Sequence, residues 1–328
     1  METQSANEED VLEGAKAIQI LASTRYPIVS AYEFEFLKEE AVIQERMNSC
    51  TLYLILQRPL TYMNNVRPEP DGIYFDIVDD HQPPLHCYLP LVENRITSLG
   101  EVPEFHIQFL KKDPDTEPPC NDVAGFKIWR EDGTFAVWYS PHKFLYEVLA
   151  GSLKAIIDGD PHRFLDFKVH YIGQAFSQRV WKRLTSHDKL RKVLTIEGPV
   201  SEKKGNRVAW EVSLAMLSID GFDEVNMLPV SEWMDLGPGK PVIHNIKTDE
   251  EFQRFLSPAI SSDAPQLTNE AEAMLIARFK PDYNKVRFDK YPDITNGTRS
   301  VGYTTSELQI DKLPVTLYTD TFRMEAIT

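Results

Sequence analysis

The spacing of apolar positions changes along the chain and predicts helices first and strands after them. Residues 10–23 and 32–47 place apolar side chains three and four positions apart, which is typical of amphipathic helices. From residue 50 onward, short runs alternate or are continuously apolar, as strands do. The predicted strands are Cys50–Gln57, Ile73–Val78, Glu104–Leu110 and the two arms of a hairpin within Gly125–Tyr139. This order predicts an α+β unit with a mainly antiparallel sheet.

A second change of pattern predicts a domain boundary near residue 158. A helix predicted over 142–158 runs into the sequence Asp158-Gly-Asp-Pro161, which is typical of a turn. The elements expected beyond it are a strand over Phe167–Ile172, a basic helix over Ser177–Leu194, a long strand over 206–219 and a helix over Asn269–Lys280 that Pro281 stops. We therefore predict two domains, 1–158 and 159–328.

The charge of the chain is unevenly distributed, and this changes the expected partners. Fifty acidic residues against 35 basic residues give a net charge of −15, which opposes non-specific binding to nucleic acid. Residues 163–207 nevertheless hold eleven basic and four acidic residues, a local charge of +7 that leaves −22 on the rest. A basic segment on an acidic protein indicates an anion-binding surface, although such runs are usually solvated helix faces.

Composition excludes several classes of protein. The chain is 42% hydrophobic and 26% charged, which rules out collagen-like and mainly disordered proteins. No apolar run approaches the roughly 18–20 residues that cross a bilayer, so we expect no membrane partner. The three cysteines, Cys50, Cys87 and Cys120, are too few for a disulfide scaffold. So sparse a set of cysteines indicates reduced thiols in a cytoplasmic protein. The first residues are acidic and lack a basic start, so we expect no secretory signal.

Three segments of the second predicted domain carry residue types suited to phosphodiester chemistry. Tyr171 ends a predicted strand, Arg183 and His187 stand one turn apart on the basic helix, and Glu272 opens a helix that closes in a turn containing Asn284. Phosphodiester hydrolysis needs an activated water and stabilisation of charge on the phosphate oxygens. A planar guanidinium can hold the phosphate, and a single carboxylate can hold one Mg²⁺ together with water.

In this order the segments resemble the GIY-YIG nuclease superfamily over about residues 164–286. Tyr171-Ile172-Gly173 is similar to the family's second tripeptide, Arg183 and His187 to its helix arginine and the histidine after it, Glu272 to its metal-binding carboxylate and Asn284 to its C-terminal asparagine. The resemblance implies a C-terminal α/β nuclease domain with an insertion at about 220–267 and a C-terminal extension.

The resemblance also implies a cofactor, a substrate and a set of site residues. The cofactor would be Mg²⁺ or Mn²⁺ held by Glu272, and the substrate would be nucleic acid, DNA rather than RNA. The implied catalytic residues are Tyr171, Arg183, His187, Glu272 and Asn284, and the basic residues expected to contact nucleic acid are Arg179, Lys182, Lys189, Arg191, Lys192, Arg278 and Lys280.

One feature of the family is not found at its usual position. The first tripeptide normally lies on the strand shortly before the second, where residues 158–168 do not contain it. Gly72-Ile73-Tyr74 stands far upstream and is typical of an ordinary strand. Because the family's upstream tyrosine takes part in activating water, two functions stay open. The chain is either a metal-dependent endonuclease or an inactive GIY-YIG-like binding or regulatory module of a larger assembly, such as one in bacterial defence.

Each candidate residue also has an ordinary structural explanation. Tyr171 can be a core tyrosine with a satisfied hydroxyl, and the Arg183–His187 pair can be part of an exposed polar stripe. Glu272 stands three residues after Asn269, the spacing of a capping box. The acidic bulk supports a third interpretation, a protein that mimics DNA or blocks a partner, and it suggests a protein partner for the N-terminal domain.

Overall fold

Two β-sheets form the framework of the described chain. The computed structural model describes residues 17–37, 39–175, 190, 192–193, 200–203, 206–223, 248–249 and 264–327. The nine strands of the first sheet are β1 Ala17–Thr24, β2 Val29–Ser30, β3 Cys50–Pro59, β11 Asp166–Gln174, β12 Val200–Lys203, β13 Asn206–Asp223, β14 Thr305–Asp311, β15 Thr316–Tyr318 and β16 Arg323–Met324. The seven strands of the second are β4 Tyr62–Glu69, β5 Gly72–Val78, β6 Leu85–Pro90, β7 Glu104–Phe109, β8 Val123–Trp129, β9 Phe135–Tyr139 and β10 Ile156–Asp158.

The first sheet joins strands from both ends of the chain. Its order is β14-β1-β13-β3-β11-β15-β16, and β2 and β12 pair with β13. β3 lies between β13 and β11 and is antiparallel to both. The pairs β1–β14 and β11–β15 are parallel. Strands that precede the second sheet in the sequence therefore pair with strands that follow it.

The second sheet is formed by one continuous stretch of chain. Its order is β10-β6-β5-β4-β8-β7, with β9 beside β8, and its pairs are antiparallel. The predicted boundary at residue 158 coincides with the end of this sheet. The strands within residues 17–59, however, belong to the first sheet, so the described part of 1–158 is divided between two sheets. A mixed α+β fold with extensive antiparallel pairing is confirmed.

Four α-helices are described. They are α1 Ala31–Leu37, α2 Ala41–Met47, α3 Pro141–Leu149 and α4 Pro265–Phe279. α1 begins in a capping box, because the Glu33 backbone N–H donates to Ser30 Oγ at 3.1 Å and the Ser30 N–H donates to the Glu33 carboxylate at 2.8 Å. None of the helices in these ranges has the length and apolar character needed to cross a membrane.

The central strands of the first sheet are buried on both faces. Leu52, Leu54 and Leu56 of β3 point into a core shared with the second sheet, α3 and α4. Tyr53 and Ile55 point to the opposite face, where α1 and α2 cover a second core. Because side chains alternate along a strand, a strand covered on both sides is continuously apolar, which explains the run from Leu52 to Leu56.

The prediction of a helix over residues 10–23 is wrong where the structure describes that range. Ala17–Thr24 is strand β1, with Ile18, Ile20 and Ala22 buried on one face. Apolar residues four positions apart fit both the helical period and the strand period. Pairing of β1 with β13 and β14 favours the strand, because it supplies hydrogen-bond partners for the β1 backbone. Residues 10–16 lie outside the described residues.

Other predicted elements differ from the structure mainly in their limits. The helix over 32–47 is divided into α1 and α2, and the helix over 142–158 ends at Leu149, after which β10 pairs with β6. The strands predicted at 50–57, 73–78, 104–110, 167–172 and 206–219, together with the hairpin within 125–139, are confirmed. The helix that Pro281 follows begins earlier than predicted, at Pro265.

A buried carboxylate fastens the loop after α4 to the helix. Glu270 is fully buried, and its carboxylate accepts hydrogen bonds from Tyr291 Oη at 2.8 Å and from the Thr298 backbone N–H at 3.0 Å. Arg299 Nη1 lies 3.5 Å from the same group. Buried carboxylates are stable only with such donors, so this contact fixes the chain from residue 291 to residue 299.

We expect Glu270→Ala to lower the free energy of unfolding by about 2–4 kcal/mol, because it leaves buried donors and an arginine without their acceptor. Urea denaturation followed by circular dichroism measures this. The control is Glu307→Ala at an exposed position of β14, where we expect a change within about 0.5 kcal/mol. Equal effects of the two substitutions would show that Glu270 does not hold the loop.

Candidate functional site

Three connections attach α4 and the turn after it to the end of β11. The Tyr283 backbone N–H donates to the His170 carbonyl at 3.1 Å. The Asn284 side chain accepts from the Ile172 N–H at 3.0 Å and donates to the Ile172 carbonyl at 2.8 Å. Gln174 Nε2 donates to the Glu272 carboxylate at 2.5 Å. The sequence-predicted residues Tyr171, Glu272 and Asn284 are therefore held on one short segment, 170–174.

The geometry gives Asn284 a positioning role. Its side chain is buried, and each end of its amide is hydrogen-bonded to the backbone of Ile172. An amide used in this way replaces a missing strand neighbour and holds the backbone of β11 in place. Asn284 therefore fixes the strand that carries Tyr171. The sequence predicts a catalytic role for Asn284, whereas in the structure both polar ends of its amide are hydrogen-bonded to the backbone of Ile172.

Tyr171 is half-buried on β11 and lies beside a second tyrosine. Its ring centroid is 6.0 Å from that of Tyr53 on β3, where Tyr53 pairs with Gly173. A Cβ atom at Gly173 would lie 2.5 Å from Tyr171 Cε1 and 2.9 Å from the Tyr53 hydroxyl. Glycine is required here because it lets both rings approach the strand. A shift in register between Val169 and Tyr171 sets the direction in which Tyr171 points.

Sequence reasoning missed Tyr53 and Gln174. Tyr53 lies more than a hundred residues before Tyr171 in the chain and is fully buried in the second core. The predicted strand over 50–57 contained it, but no local pattern indicates that this strand pairs with β11. Gln174 directly follows the tripeptide Tyr171-Ile172-Gly173, and this position beside the motif could have indicated it as a site residue.

Glu272 lies inside α4, which overturns the capping-box explanation. The helix begins at Pro265 with Ala264 as its N-cap, so Asn269 and Glu272 are both interior residues. The Glu272 side chain is half-buried, and burial raises the pKa of its carboxyl group although the hydrogen bond from Gln174 opposes this. Binding of a cation or of a proton would stabilise a carboxylate that is partly removed from water in this way.

Tyr171 and Glu272 lie on different faces of the first sheet. Tyr171 and Tyr283 pack against the core that α1 and α2 cover, whereas α4 packs its apolar residues into the core shared with the second sheet. Tyr171 and Gln174 are three positions apart, and side chains at odd spacing on a strand point to opposite faces. The two candidate groups are therefore joined through the end of β11 without facing each other.

The remaining predicted residues are only partly described. Arg183, His187, Arg179, Lys182, Lys189 and Arg191 lie outside the described residues, and Lys192 is exposed. Arg278 lies over the Phe322 ring at 4.4 Å, and Lys280 ends α4 in a left-handed conformation with φ of 51°. Arg278 is six residues beyond Glu272, about 9 Å along the helix and about 120° around it, so it belongs to another part of the surface.

A single carboxylate with an amide beside it fits the ligand demand of Mg²⁺. This ion commonly takes one or two carboxylates and fills its other positions with water and phosphate oxygens. Among the described residues, no group of three or more His, Cys, Asp or Glu side chains is arranged around a common point. Any metal at this site would therefore depend on Glu272, with Gln174 holding its carboxylate.

Two depressions in the described surface lie away from this segment. The larger, about 920 Å³, is an open hollow lined by the loop 92–101 and by residues 130–132. A smaller one lies at the junction of the two sheets. Comparisons with protein-family models, with curated proteins and with solved structures found no match for this chain.

The raised pKa of Glu272 predicts how its substitution changes stability with pH. Between the pKa of the unfolded chain and the higher pKa of the folded chain, the folded state binds more protons, so the free energy of unfolding falls as pH rises. We expect Glu272→Gln, which cannot ionise, to stabilise the fold more at about pH 7 than at about pH 4.

Urea denaturation at both pH values measures this difference, with Glu307→Gln on exposed β14 as the control. An effect of Glu272→Gln that is the same at both pH values would contradict a carboxyl group with a raised pKa.

Proposed function

We propose that this chain cleaves phosphodiester bonds in nucleic acid with the help of a divalent metal at Glu272, in a GIY-YIG-like site. The observation that carries the proposal is the attachment of Glu272 and Asn284 to the segment 170–174, which follows the order of the motifs in the sequence. DNA is the proposed substrate and Mg²⁺ or Mn²⁺ the proposed cofactor. The basic segment 163–207 supports an anionic substrate.

Tyr53 supports the proposal at the point where the sequence alone was weakest. The family's first tyrosine is expected on a strand antiparallel to the second tripeptide, and Tyr53 stands on such a strand beside Tyr171. The strand pair would then be interrupted by the whole second sheet, which explains why no tyrosine was found shortly upstream. In this arrangement Tyr53 is a positioning residue, since it is buried and contacts Tyr171.

The proposed roles follow from the chemistry of each group. Glu272 would hold the metal, which supplies charge neutralisation at the phosphate when bound. Gln174 orients the Glu272 carboxylate, and Asn284 fixes the strand. Arg183 would bind the phosphate. Tyr171 lies on the face of the first sheet opposite Glu272, so its proposed role is to position the end of β11 together with Tyr53.

A second function is favoured by one observation. Tyr171 and Glu272 lie on different faces of the first sheet, which suits a protein that keeps the strand arrangement without the reaction. We propose as the alternative a binding or regulatory module that uses the basic segment to contact nucleic acid. Such binding would weaken steeply with salt, whereas binding of a protein partner through apolar contacts would not.

Cleavage of labelled DNA and RNA in the presence of Mg²⁺ or Mn²⁺ tests the proposal. We expect the wild-type protein to cut and Glu272→Gln to cut at least about 100-fold more slowly. Tyr171→Phe changes a residue on the opposite face of the sheet and should reduce the rate less. The matched control, Glu307→Gln, removes a carboxylate from exposed β14 and should cut at the wild-type rate.

Two results would contradict this function. Equal rates for the wild-type protein and Glu272→Gln would remove the metal role of Glu272. Absence of cleavage together with salt-dependent binding of the same oligonucleotides would favour the binding module.

A further inference from the structure

A cleft lies where the chain leaves the first sheet for the second and returns. Arg58 at the end of β3 and Trp210 on β13 line one side, and His81 and Gln82, in the turn between β5 and β6, line another. Arg163 completes it from the short helical turn before β11. Its volume is about 270 Å³, close to the lower end of the roughly 300–1,000 Å³ that is usual for ligand pockets. The junction cleft therefore has room for one ring system.

A buried arginine gives the junction cleft a rigid wall. Arg58 is 1% exposed and donates to Glu211 at 2.6 Å, to Thr61 Oγ1 at 2.6 Å and to the Phe164 carbonyl at 3.1 Å. Within the described residues its Nε–H has no hydrogen-bond partner. Arg58 thus links β3 and β13 to the chain that returns from the second sheet at Phe164. Because these groups are fixed before a ligand binds, less conformational entropy is lost on binding.

The aromatic side of the junction cleft is also fixed in advance. Asp79 accepts hydrogen bonds from the backbone N–H groups of His81 at 2.9 Å and Gln82 at 3.2 Å, and from Gln82 Nε2 at 2.7 Å. These bonds hold the turn that carries His81, whose ring lies 6.2 Å from the half-buried Trp210 ring at an angle of 64°. An indole with a fixed neighbour is a suitable surface for a planar ring.

Arg163 supplies a positive charge that a ligand can use. Its side chain is 68% exposed, and its ion pair with Asp160 at 3.4 Å is exposed as well. Exposed pairs contribute only about 0–1 kcal/mol, so the guanidinium can exchange this carboxylate for another anion at little cost. The carboxylate of Asp166, also at the cleft, already pairs with Arg323 at 3.1 Å.

We propose that the junction cleft binds one nucleotide unit, with the base against Trp210 and the phosphate at Arg163. Stacking of a base on an aromatic side chain contributes about 1–3 kcal/mol, and the planar arginine fork matches a phosphate. The unit can be a free mononucleotide or one nucleotide of a strand. Binding here needs neither Glu272 nor a metal, so this inference goes beyond the proposed cleavage and does not depend on it.

Isothermal titration of the full-length protein in EDTA tests the inference, with the four ribonucleoside monophosphates, adenosine, inorganic phosphate and a short single-stranded oligonucleotide as probes. We expect Trp210→Leu to weaken binding of a monophosphate about tenfold or more, and Trp210→Phe to retain part of it. Arg163→Gln should weaken binding of monophosphates but not of adenosine. Tighter binding of the oligonucleotide than of the monophosphate, lost in Trp210→Leu, would identify a strand as the source, and equal binding a free nucleotide.

The control variants remove the same kinds of side chain at other places in the fold. Trp129→Leu removes an indole from β8 and Lys154→Gln removes an exposed cation; both should bind as the wild-type protein does. Because Arg163 is exposed, its substitution leaves the fold intact even if Trp210→Leu does not. The inference is overturned if no monophosphate binds at millimolar concentration, or if neither Trp210→Leu nor Arg163→Gln weakens binding.

Discussion

The antiparallel pairing of β3 with β11 is the contact on which the candidate site depends. It brings together two strands that are separated in the sequence by the entire second sheet, and it places Tyr53 beside Tyr171. Closing so long a loop costs conformational entropy. Burial of β3 on both faces offsets that cost, since Leu54 and Ile55 enter two different cores. Glu272 and Asn284 are positioned relative to this pair, because both are hydrogen-bonded to β11.

The hydrogen bonds from α4 complete the arrangement. A helix and a turn that follow β11 by about a hundred residues reach back to the strand through Glu272, Tyr283 and Asn284. Two of these connections use the backbone of β11, so they depend little on which side chains the strand carries. Glu270, on the same helix, has a structural role, because its carboxylate accepts hydrogen bonds from the loop that follows α4. The half-buried carboxylate of Glu272, which contacts Gln174, is the one that belongs to the candidate site.

Local patterns predicted the strands of this chain better than its helices and its long-range pairing. The alternation in 73–78 and the hairpin within 125–139 were sufficient, because one face of each of those strands is buried. The strand over 206–219 was also predicted, although β13 is buried on both faces over residues 212–219. The error at residues 17–24 arose because Ile18 and Ala22 satisfy both periods, and only the pairing with β13 decides between them. The order of Tyr171, Glu272 and Asn284 pointed to one segment, whereas Tyr53 could be found only from the sheet.

The second sheet changes the surface as well as the connectivity. The chain leaves the first sheet after β3 and returns to it before β11, so the two connections between the sheets lie close together. The ion pair of Arg58 with Glu211 links β3 to β13 at this point. The junction cleft follows from this topology. The candidate site and the cleft thus occupy different parts of the first sheet, and β3 and β11 run between them.

Binding of Mn²⁺, followed by electron paramagnetic resonance, tests the central claim most directly because it needs no substrate. The account predicts one Mn²⁺ bound per chain in the wild-type protein, loss of that ion in Glu272→Gln, and retention in Glu307→Gln. Equal binding of Mn²⁺ by the wild-type protein and Glu272→Gln would contradict a metal site at the end of β11.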